Sequence, residues 1–198
     1  DNPQMKAKGI PDNREDALSY FRSLDHGEMN SDTLEAFVDQ GTNALEFLNS
    51  QGALALHVLD GYPDYYLNHP GAKADGGRAL DNALFDFTSL GDWADKIYNG
   101  GDIVRLMLLE APLGGGSGIS DPEEMQRRIE GDLRGWGQAL IGRLLRACLD
   151  REIELLLETS ARKLVNKEGR ITGVTVTKDG VDRTIDAQRG VILATGGF

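Results

Sequence analysis

The chain has 198 residues, enough to bury a hydrophobic core, and its net charge of -11 comes from 21 Lys and Arg against 32 Asp and Glu. This acidic balance argues against binding to nucleic acid or to anionic membranes, so small neutral molecules are the expected partners. A single cysteine excludes an intramolecular disulfide, and no apolar run is long enough to span a bilayer. We therefore expect no membrane insertion and a cytoplasmic location.

Two amphipathic helices are predicted between residues 12 and 51. The first begins at Asp12, which stands three residues before Glu15 in capping-box spacing, and the second begins at Asp32, three residues before Glu35. Apolar residues then recur every three or four positions on one face of each helix. Such faces are typical of packing surfaces.

The middle of the chain, residues 52–134, lacks a regular apolar period. It contains two glycine-rich stretches, at residues 71–78 and 114–118, and an acidic helix candidate at residues 121–130 with Pro122 in its first turn. Long irregular segments inside a domain are often functional. We therefore expect this part of the chain to border a binding site.

Residues 135–198 carry the clearest pattern. An amphipathic helix that contains Leu140 and Leu144 is followed by a predicted strand at residues 153–158 and by a meander at residues 162–165, 171–178 and 181–185. Asp179 and Gly180 form a hairpin signal. The apolar period slips near Gly173, which predicts a β-bulge there.

The last predicted element is a buried strand. Four consecutive apolar residues, at 191–194, lack the alternation of a half-exposed strand and fit a parallel strand that is covered on both faces. Gly196 and Gly197 then let the backbone turn sharply and approach a ligand. In an α/β sheet, a nucleotide cofactor binds at the carboxyl end of such a strand.

Several segments together carry a family pattern: GQALIGRLL at residues 137–145, ETSARKLV at residues 158–165 and GVILATGGF at residues 190–198. They resemble the FAD-binding domain of the fumarate reductase and succinate dehydrogenase flavoprotein superfamily. Within it, YPDYY at residues 62–66, followed by Pro70-Gly71 and by GRAL at residues 77–80, is similar to the 3-ketosteroid Δ1-dehydrogenase branch.

The resemblance implies an α/β fold, which is α+β within these residues. It is an incomplete two-dinucleotide-type FAD-binding domain with a parallel strand core, a small antiparallel meander and an N-terminal helical region. We expect residues 1–134 to form its helical and irregular part beside the substrate site, and residues 135–198 to form the helix, the strands and the ATGG segment. The family's N-terminal GxGxxG unit and C-terminal catalytic domain are absent here, so we expect a piece of a longer protein.

The missing GxGxxG turn is the unit that holds the FAD pyrophosphate on backbone N–H groups and a helix dipole. The nearest local candidate is the glycine run at residues 113–119, but Ile119 occupies the position three after Gly116, so we interpret the run as a flexible loop. We therefore expect these residues alone to hold no stoichiometric FAD. Uncovered sheet edges also make self-association an expectation.

The resemblance further implies which residues bind the cofactor, FAD. These are the helix opening and a strand entry, together with the last glycine turn: Gly137, Gln138, Ala161, Ala194, Thr195, Gly196 and Gly197. Trp136 departs from the small residue expected beside Gly137. The three histidines are scattered without the spacing of metal ligands, so no metal site is expected.

For the chemistry, the resemblance implies dehydrogenation of a steroid-like ketone by proton abstraction and hydride transfer to the flavin, with an external electron acceptor. Tyr65 matches a supporting catalytic position, whose hydroxyl hydrogen-bonds a base tyrosine from the later domain. A free tyrosine has a pKa near 10, so such a base must be tuned by its neighbours. The alternative for Tyr65 is a structural tyrosine that anchors a loop.

Two other hypotheses for the function stay open. One is a fumarate reductase-like flavoenzyme for small dicarboxylates, which such sites bind with arginine clamps. The other is a non-catalytic binding module, for which the missing pyrophosphate motif is the best support.

Overall fold

The computed structural model describes residues 2–99, 101–119 and 121–196, and the chain divides into two units, Asp1–Glu152 and Ile153–Phe198. The helices of the first unit are α1 (Pro3–Lys8), α2 (Arg14–Leu24), α3 (Ser31–Ser50), α4 (Pro122–Glu130) and α5 (Trp136–Leu149). Short 3₁₀ segments, Phe87–Lys96, Asp102–Arg105, Leu108–Glu110 and Pro112–Gly114, lie between α3 and α4. In the described part of the chain, no helix combines the length and the hydropathy that crossing a membrane would need.

Helices α2 and α3 are where the apolar period predicts them, but the predicted caps at Asp12 and Asp32 are wrong. The side chain of Asn13 caps α2 by accepting a hydrogen bond from the amide of Asp16 at 2.8 Å, and Asn30 caps α3 in the same way. Asparagine caps a helix as well as aspartate does. Asp12 is thereby left to pair with a buried arginine in another element.

Antiparallel pairing accounts for all the sheets in the described residues. In the first unit, β1 (Leu56–Asp60) pairs with β2 (Gly76–Asn82), and β3 (Phe85–Asp86) pairs with β4 (Leu133–Arg134). The second unit is a three-stranded sheet in the order β5 (Ser160–Lys167), β6 (Arg170–Lys178), β7 (Val181–Asp186). The fold is therefore mixed α and β, as the sequence predicts, without the predicted parallel core in these ranges.

Two predicted strands are wrong. Residues 153–158 and 191–194 are not in strands, and Ile192 and Leu193 are 93% and 67% exposed. A parallel strand needs hydrogen-bonding neighbours that a distant part of the chain supplies. Among the described residues, no parallel neighbour pairs with either segment, so the apolar run at residues 191–194 lies in extended, unpaired backbone.

The meander and its bulge are confirmed. Asp179 and Gly180 both have positive φ, 51° and 76°, as the tight turn between β6 and β7 requires. Val165 pairs with Gly173 whereas Asn166 pairs with Ile171, so β6 holds one extra residue beside Gly173. A side chain at Gly173 would lie 2.4 Å from the carbonyl oxygen of Ile185, which explains why glycine stands at the bulge.

Helix α5 is seated on a core that Phe87 occupies with no exposed surface. Gly142, on the inner face of α5, lies so close to the rings of Phe85 and Phe87 that an added Cβ would be 2.6 Å from Phe85 Cδ1. This close approach fixes the helix against β3 and the following 3₁₀ segment. It thereby sets the position of the helix N-terminus, where the site residues Gly137 and Gln138 lie.

A pair of helical glycines tests this packing. Gly142→Ala overpacks the contact with the phenylalanine rings, so we expect the free energy of unfolding to fall by about 1–3 kcal/mol. Gly41→Ala in α3 is the matched control, because a Cβ there meets nothing within 4 Å, and alanine should raise helix stability by about 0.5–1 kcal/mol. Urea unfolding of both variants measures the difference. Equal effects of the two substitutions would contradict the close packing of α5.

Candidate functional site

The segment that carries Tyr62 and Tyr65 is a backbone turn between β1 and β2. Gly61 donates its amide proton to the carbonyl of Asp75 at 3.2 Å, and the amide of Asp64 donates to the carbonyl of Lys73 at 3.0 Å. The Asp64 carboxylate in turn accepts the amide proton of Lys73 at 2.9 Å. These bonds close the base of the turn, so the two tyrosines project from a fixed backbone.

Gly76 brings β2 into direct contact with this turn. Its φ is +77°, and an added Cβ would lie 2.5 Å from the carbonyl oxygen of Tyr62. Both the positive φ and the lack of space favour glycine at this position. Within the glycine-rich stretch at residues 71–78, Gly76 is therefore explained by packing against the tyrosine turn, whereas Gly71 lies against Asp16 and Gly77 against Met5 and Ile10.

Arg78 binds two carboxylates at once. Its Nε and Nη2 donate to the two oxygens of Asp12 at 2.9 and 2.8 Å, and Nη1 donates to Asp64 Oδ2 at 2.8 Å. Burial on its own would raise the pKa of Asp12, but the hydrogen bonds and the charge of Arg78 outweigh burial and bring that pKa below its ordinary value. The sequence motifs YPDYY and GRAL are thus joined by one ion pair, between Asp64 and Arg78.

Tyr62 and Tyr65 line a cavity of about 340 Å³ whose other wall includes Trp136 and Gly137 at the start of α5. The two phenol oxygens lie 3.5 Å apart, and the rings are nearly perpendicular, at 81°. Tyr65 is 82% exposed. The structure therefore brings together Tyr65 and Gly137, two of the residues that the sequence predicts for the site.

The neighbouring tyrosine, Tyr66, is held differently. Its amide donates to the hydroxyl of Tyr20 at 3.2 Å, and its ring contacts His69 with centroids 5.5 Å apart. Tyr66 does not line the tyrosine cavity. It is therefore a suitable reference for changes at Tyr65.

A second, larger cavity of about 660 Å³ lies on the other side of the start of α5, where Gly137 and Gln138 line it with Tyr98, Val104 and Ile141. Trp136 contributes to both cavities. The backbone of Trp136 has a φ of 54°, and its indole N–H is buried with no hydrogen-bond partner among the described residues. The first N–H groups of a helix have no partner within the helix, so α5 directs open backbone donors toward this region.

Both polar atoms of the Gln138 side chain are hydrogen-bonded within the protein. Its amide nitrogen donates to the carbonyl of Tyr98, and its amide oxygen accepts a hydrogen bond from Arg134 at 3.0 Å. The guanidinium of Arg134 lies 3.9 Å above the ring of Phe87. Any contact of Gln138 with a ligand in the larger cavity therefore falls to its backbone N–H.

Arg134 is held by Asp132, which also pairs with Arg105. The closest N–O distances are 2.8 Å from Arg134 and 2.6 Å from Arg105. Hydrogen bonds from Arg134, and then from Arg105, bring the pKa of Asp132 below its ordinary value despite partial burial. This cluster fixes Gln138 and thus the N-terminal turn of α5.

The glycine run at residues 113–118 does not form a phosphate cradle. The amides of Gly114, Gly115, Gly116 and Gly118 all donate to backbone carbonyls of residues 110–112, at 2.8–3.1 Å. An added Cβ at Gly114 would lie 2.0 Å from the carbonyl oxygen of Leu108. These glycines serve the close packing of the run on its own 3₁₀ turns, and their amides are already bonded within it.

The remaining predicted cofactor residues belong to the second unit. Ala161 lies in β5, paired with Val176 beside a register shift. Ala194, Thr195 and Gly196 lie in the exposed segment after the sheet, and Gly196 has a φ of 87°. Gly197 lies outside the described residues. The roles of these residues stay predictions.

Sequence reasoning missed several residues of the site. Tyr62 precedes Tyr65 by three residues in the YPDYY segment, so this segment alone could have suggested a second hydroxyl beside that of Tyr65. The ion pairs of Arg78 with Asp12 and Asp64, and of Asp132 with Arg105, join residues 14 to 66 positions apart and leave no local signal. Within the described ranges, no group of three or more His, Cys, Asp or Glu side chains is arranged to hold a metal ion.

Comparison with known proteins places the chain in a family. A family model described as an FAD binding domain matches residues 1–198. The chain belongs to this family. Its cofactor is accordingly FAD, as the sequence predicts.

The relatives of this FAD binding domain include ketone dehydrogenases. It is 30% identical to the 4-oxocyclohexanecarboxylate 2-dehydrogenase of Sinomonas cyclohexanicum, over 100% of this chain and 35% of the relative. It is 28% identical to the 3-oxosteroid 1-dehydrogenase of Mycolicibacterium smegmatis, over 100% of this chain and 38% of the relative. The chain thus spans little more than a third of these curated relatives.

A solved structure is also similar. The 3-ketosteroid delta1-dehydrogenase from Sterolibacterium denitrificans, in complex with 1,4-androstadiene-3,17-dione, matches with a TM-score of 0.79 and 28% identity. The match covers 100% of this chain and 39% of that chain. The family resemblance inferred from the motifs is confirmed.

The residues at the start of α5 fit one part of FAD. The larger cavity is mostly apolar, as a flavin ring requires, and the open backbone donors at Gly137 and Gln138 suit its polar edge. The glycine run cannot hold the pyrophosphate, because its amides are already bonded. Among the described residues, those at the start of α5 are therefore suited to the flavin ring of FAD and not to its pyrophosphate.

We expect the 198-residue chain produced alone to retain FAD only weakly. It can contact the flavin ring at the start of α5, but it lacks the glycine turn and helix N-terminus that bind the phosphates. Visible flavin absorbance per mole of protein after gel filtration measures it, with the full-length protein as the control. Nearly one FAD per isolated chain would contradict this prediction.

A second prediction concerns Asp132. Asp132→Asn leaves two partly buried guanidinium groups without their carboxylate, so we expect a loss of about 3 kcal/mol in the free energy of unfolding near neutral pH. Asp150→Asn is the control, because Asp150 is exposed and pairs with Arg146 on the surface, which is worth less than about 1 kcal/mol.

The sign of the pH dependence follows from the lowered pKa of Asp132. Its ordinary value is 3.8, so the ion-pair stabilisation is fully present above that pH and is lost as the pH falls below it. Urea unfolding over a pH series should show a smaller acid loss in Asp132→Asn than in the wild type. An identical slope in both proteins would show that Asp132 does not carry this stabilisation.

Proposed function

We propose that the full-length protein is an FAD-dependent dehydrogenase that forms a carbon–carbon double bond next to a ring ketone, steroid or similar. The observation that carries this proposal is the cavity in which Tyr65 faces Gly137 at the start of α5, in a chain whose relatives are named for ring ketones. An external electron acceptor then reoxidises the flavin.

In the proposed reaction, a base removes one proton beside the ketone, the neighbouring carbon loses a hydride, and the double bond forms between the two carbons. FAD supplies the hydride acceptor when it is bound. The base tyrosine lies in the later domain. Tyr65 hydrogen-bonds that tyrosine and stabilises its anionic form, the tyrosinate that accepts the proton.

The lining of the tyrosine cavity favours a neutral substrate over a small dicarboxylate. Its charged member is Asp81, whose carboxylate accepts backbone hydrogen bonds from Asn82 and Leu108 at 2.9 and 2.8 Å. A dicarboxylate requires cationic clamps, and the residues that line this cavity include neither lysine nor arginine. The fumarate reductase-like alternative is therefore less well supported.

The main support for a non-catalytic binding module is the missing pyrophosphate motif. The family match indicates FAD binding although that motif is missing here, so this alternative is less well supported.

Self-association of the isolated 198-residue chain remains part of our proposal. Its support is the exposed apolar pair Ile192 and Leu193, since large exposed apolar groups promote association.

Replacing Tyr65 tests the proposal in the full-length protein. Tyr65→Phe keeps the ring and removes the hydroxyl, so a hydrogen bond to the anionic base is lost, worth about 1.5–3 kcal/mol, or roughly 10- to 150-fold in turnover. The loss should fall on kcat, since a smaller fraction of the base is in the anionic form that removes the proton, while ketone binding is unchanged. Steady-state kinetics with a 3-ketosteroid and with a cyclohexanone measure it.

Tyr66→Phe is the control, and its kcat should change less than about threefold, as expected of a packing contact. If Tyr65→Phe keeps wild-type turnover with unchanged FAD content and melting temperature, Tyr65 is only structural. A full-length protein that oxidises neither ring ketone would overturn the proposed activity itself.

A further inference from the structure

Tyr62, like Tyr66, is a tyrosine of the YPDYY segment to which the family resemblance assigns no role. Its Oη lies 3.5 Å from Tyr65 Oη, and the ring centroids are 6.4 Å apart in an edge-on arrangement. Within the described residues, this is the polar contact that the Tyr65 hydroxyl makes. The Tyr65 hydroxyl, which the proposed function needs, therefore lies beside the hydroxyl of Tyr62.

Of the two phenols, Tyr62 is the better held. Its amide donates to the carbonyl of Leu59 at 3.3 Å, and Gly76 packs against its backbone. Tyr62 is half-buried, whereas Tyr65 is 82% exposed. A fixed hydroxyl beside an exposed one restricts the rotamers of the exposed ring.

Either hydroxyl can be the donor in this contact, because a phenol has one proton to donate and can also accept a hydrogen bond. The hydrogen bond to Tyr65 raises the pKa of Tyr62 above its ordinary value. Since a hydroxyl can donate and accept at once, Tyr65 can pair with Tyr62 and with a catalytic partner at the same time.

We propose that Tyr62 is a positioning residue for Tyr65: the contact between the two hydroxyls holds the exposed Tyr65 ring at the cavity, where its Oη can meet the catalytic partner. This inference rests on the proposed function of Tyr65. Tyr62 touches neither reacting carbon in this account and acts through Tyr65 alone.

A double-mutant cycle in the full-length protein tests the inference. Tyr62→Phe removes a neutral hydrogen bond worth about 0.5–1.5 kcal/mol, so kcat should fall about 2- to 13-fold while KM stays within about twofold. If Tyr62 acts through Tyr65, the double variant Tyr62→Phe/Tyr65→Phe should be no slower than Tyr65→Phe alone. Losses in kcat that multiply would overturn the inference.

The ring of Tyr65 provides a readout independent of turnover. In full-length protein with ¹³C-labelled tyrosine rings, Tyr62→Phe should change the NMR signal of the Tyr65 ring, because the contact between the hydroxyls is lost, and Tyr66→Phe should leave that signal unchanged. An unchanged Tyr65 signal in Tyr62→Phe would overturn the inference.

The two proposals fail in different ways. A protein without ring-ketone activity contradicts the proposed function, but the NMR signal of the Tyr65 ring still decides whether Tyr62 holds that ring. Ring-ketone activity that depends on Tyr65 but multiplies with the loss at Tyr62 contradicts only the positioning role.

Discussion

The geometry of the tyrosine turn depends on the guanidinium of Arg78, which holds Asp12 and Asp64 in one partly buried cluster. The side chain of Arg78 is only 17% exposed, so the loss of a carboxylate would leave a charge that water cannot fully solvate. Asp12 precedes α2, Asp64 lies between Pro63 and Tyr65, and Arg78 lies in β2. One ion cluster therefore ties a helix entry, a strand and the segment that carries the site.

A second constraint acts at the opposite wall of the cavity. Gly142 lets α5 approach the phenylalanine core, and Arg134 fixes the side chain of Gln138. Together they place the open N–H groups of the first turn between the two cavities, one beside Tyr65 and one mostly apolar. In the proposed reaction the ketone and the flavin meet at this helix start, because hydride transfer needs the reacting atoms about 3–3.5 Å apart.

How much the sequence predicts depends on whether the signal is local. Helices α2, α3 and α5 follow from apolar periodicity, α4 follows from Pro122 in the first turn of an acidic segment, and the β6–β7 turn follows from Asp179 and Gly180, because these signals act within a few residues. β2 was missed because its sequence, GGRALDN, has neither apolar alternation nor β-branched residues. Residues 191–194 were wrongly predicted as a buried parallel strand, since burial depends on neighbours that composition does not reveal.

The residues of the candidate site likewise divide into those with a local sequence signal and those without one. Tyr65, Gly137 and Gln138 could be selected because family motifs mark them, and the structure puts all three beside the start of α5. The partnership of Tyr62 with Tyr65 depends on side-chain geometry, and that of Arg78 with Asp64 depends on two strands meeting. Such long-range contacts follow from the fold and not from spacing.

A crystal structure of the full-length protein with FAD and a bound ring ketone tests the central claim most directly. The account predicts the ketone in the cavity beside Tyr65, the flavin against the first turn of α5, and Tyr65 Oη within about 3.2 Å of a hydroxyl from the later domain. A ketone bound elsewhere, with Tyr65 pointing into solvent and the start of α5 remote from the flavin, would contradict it.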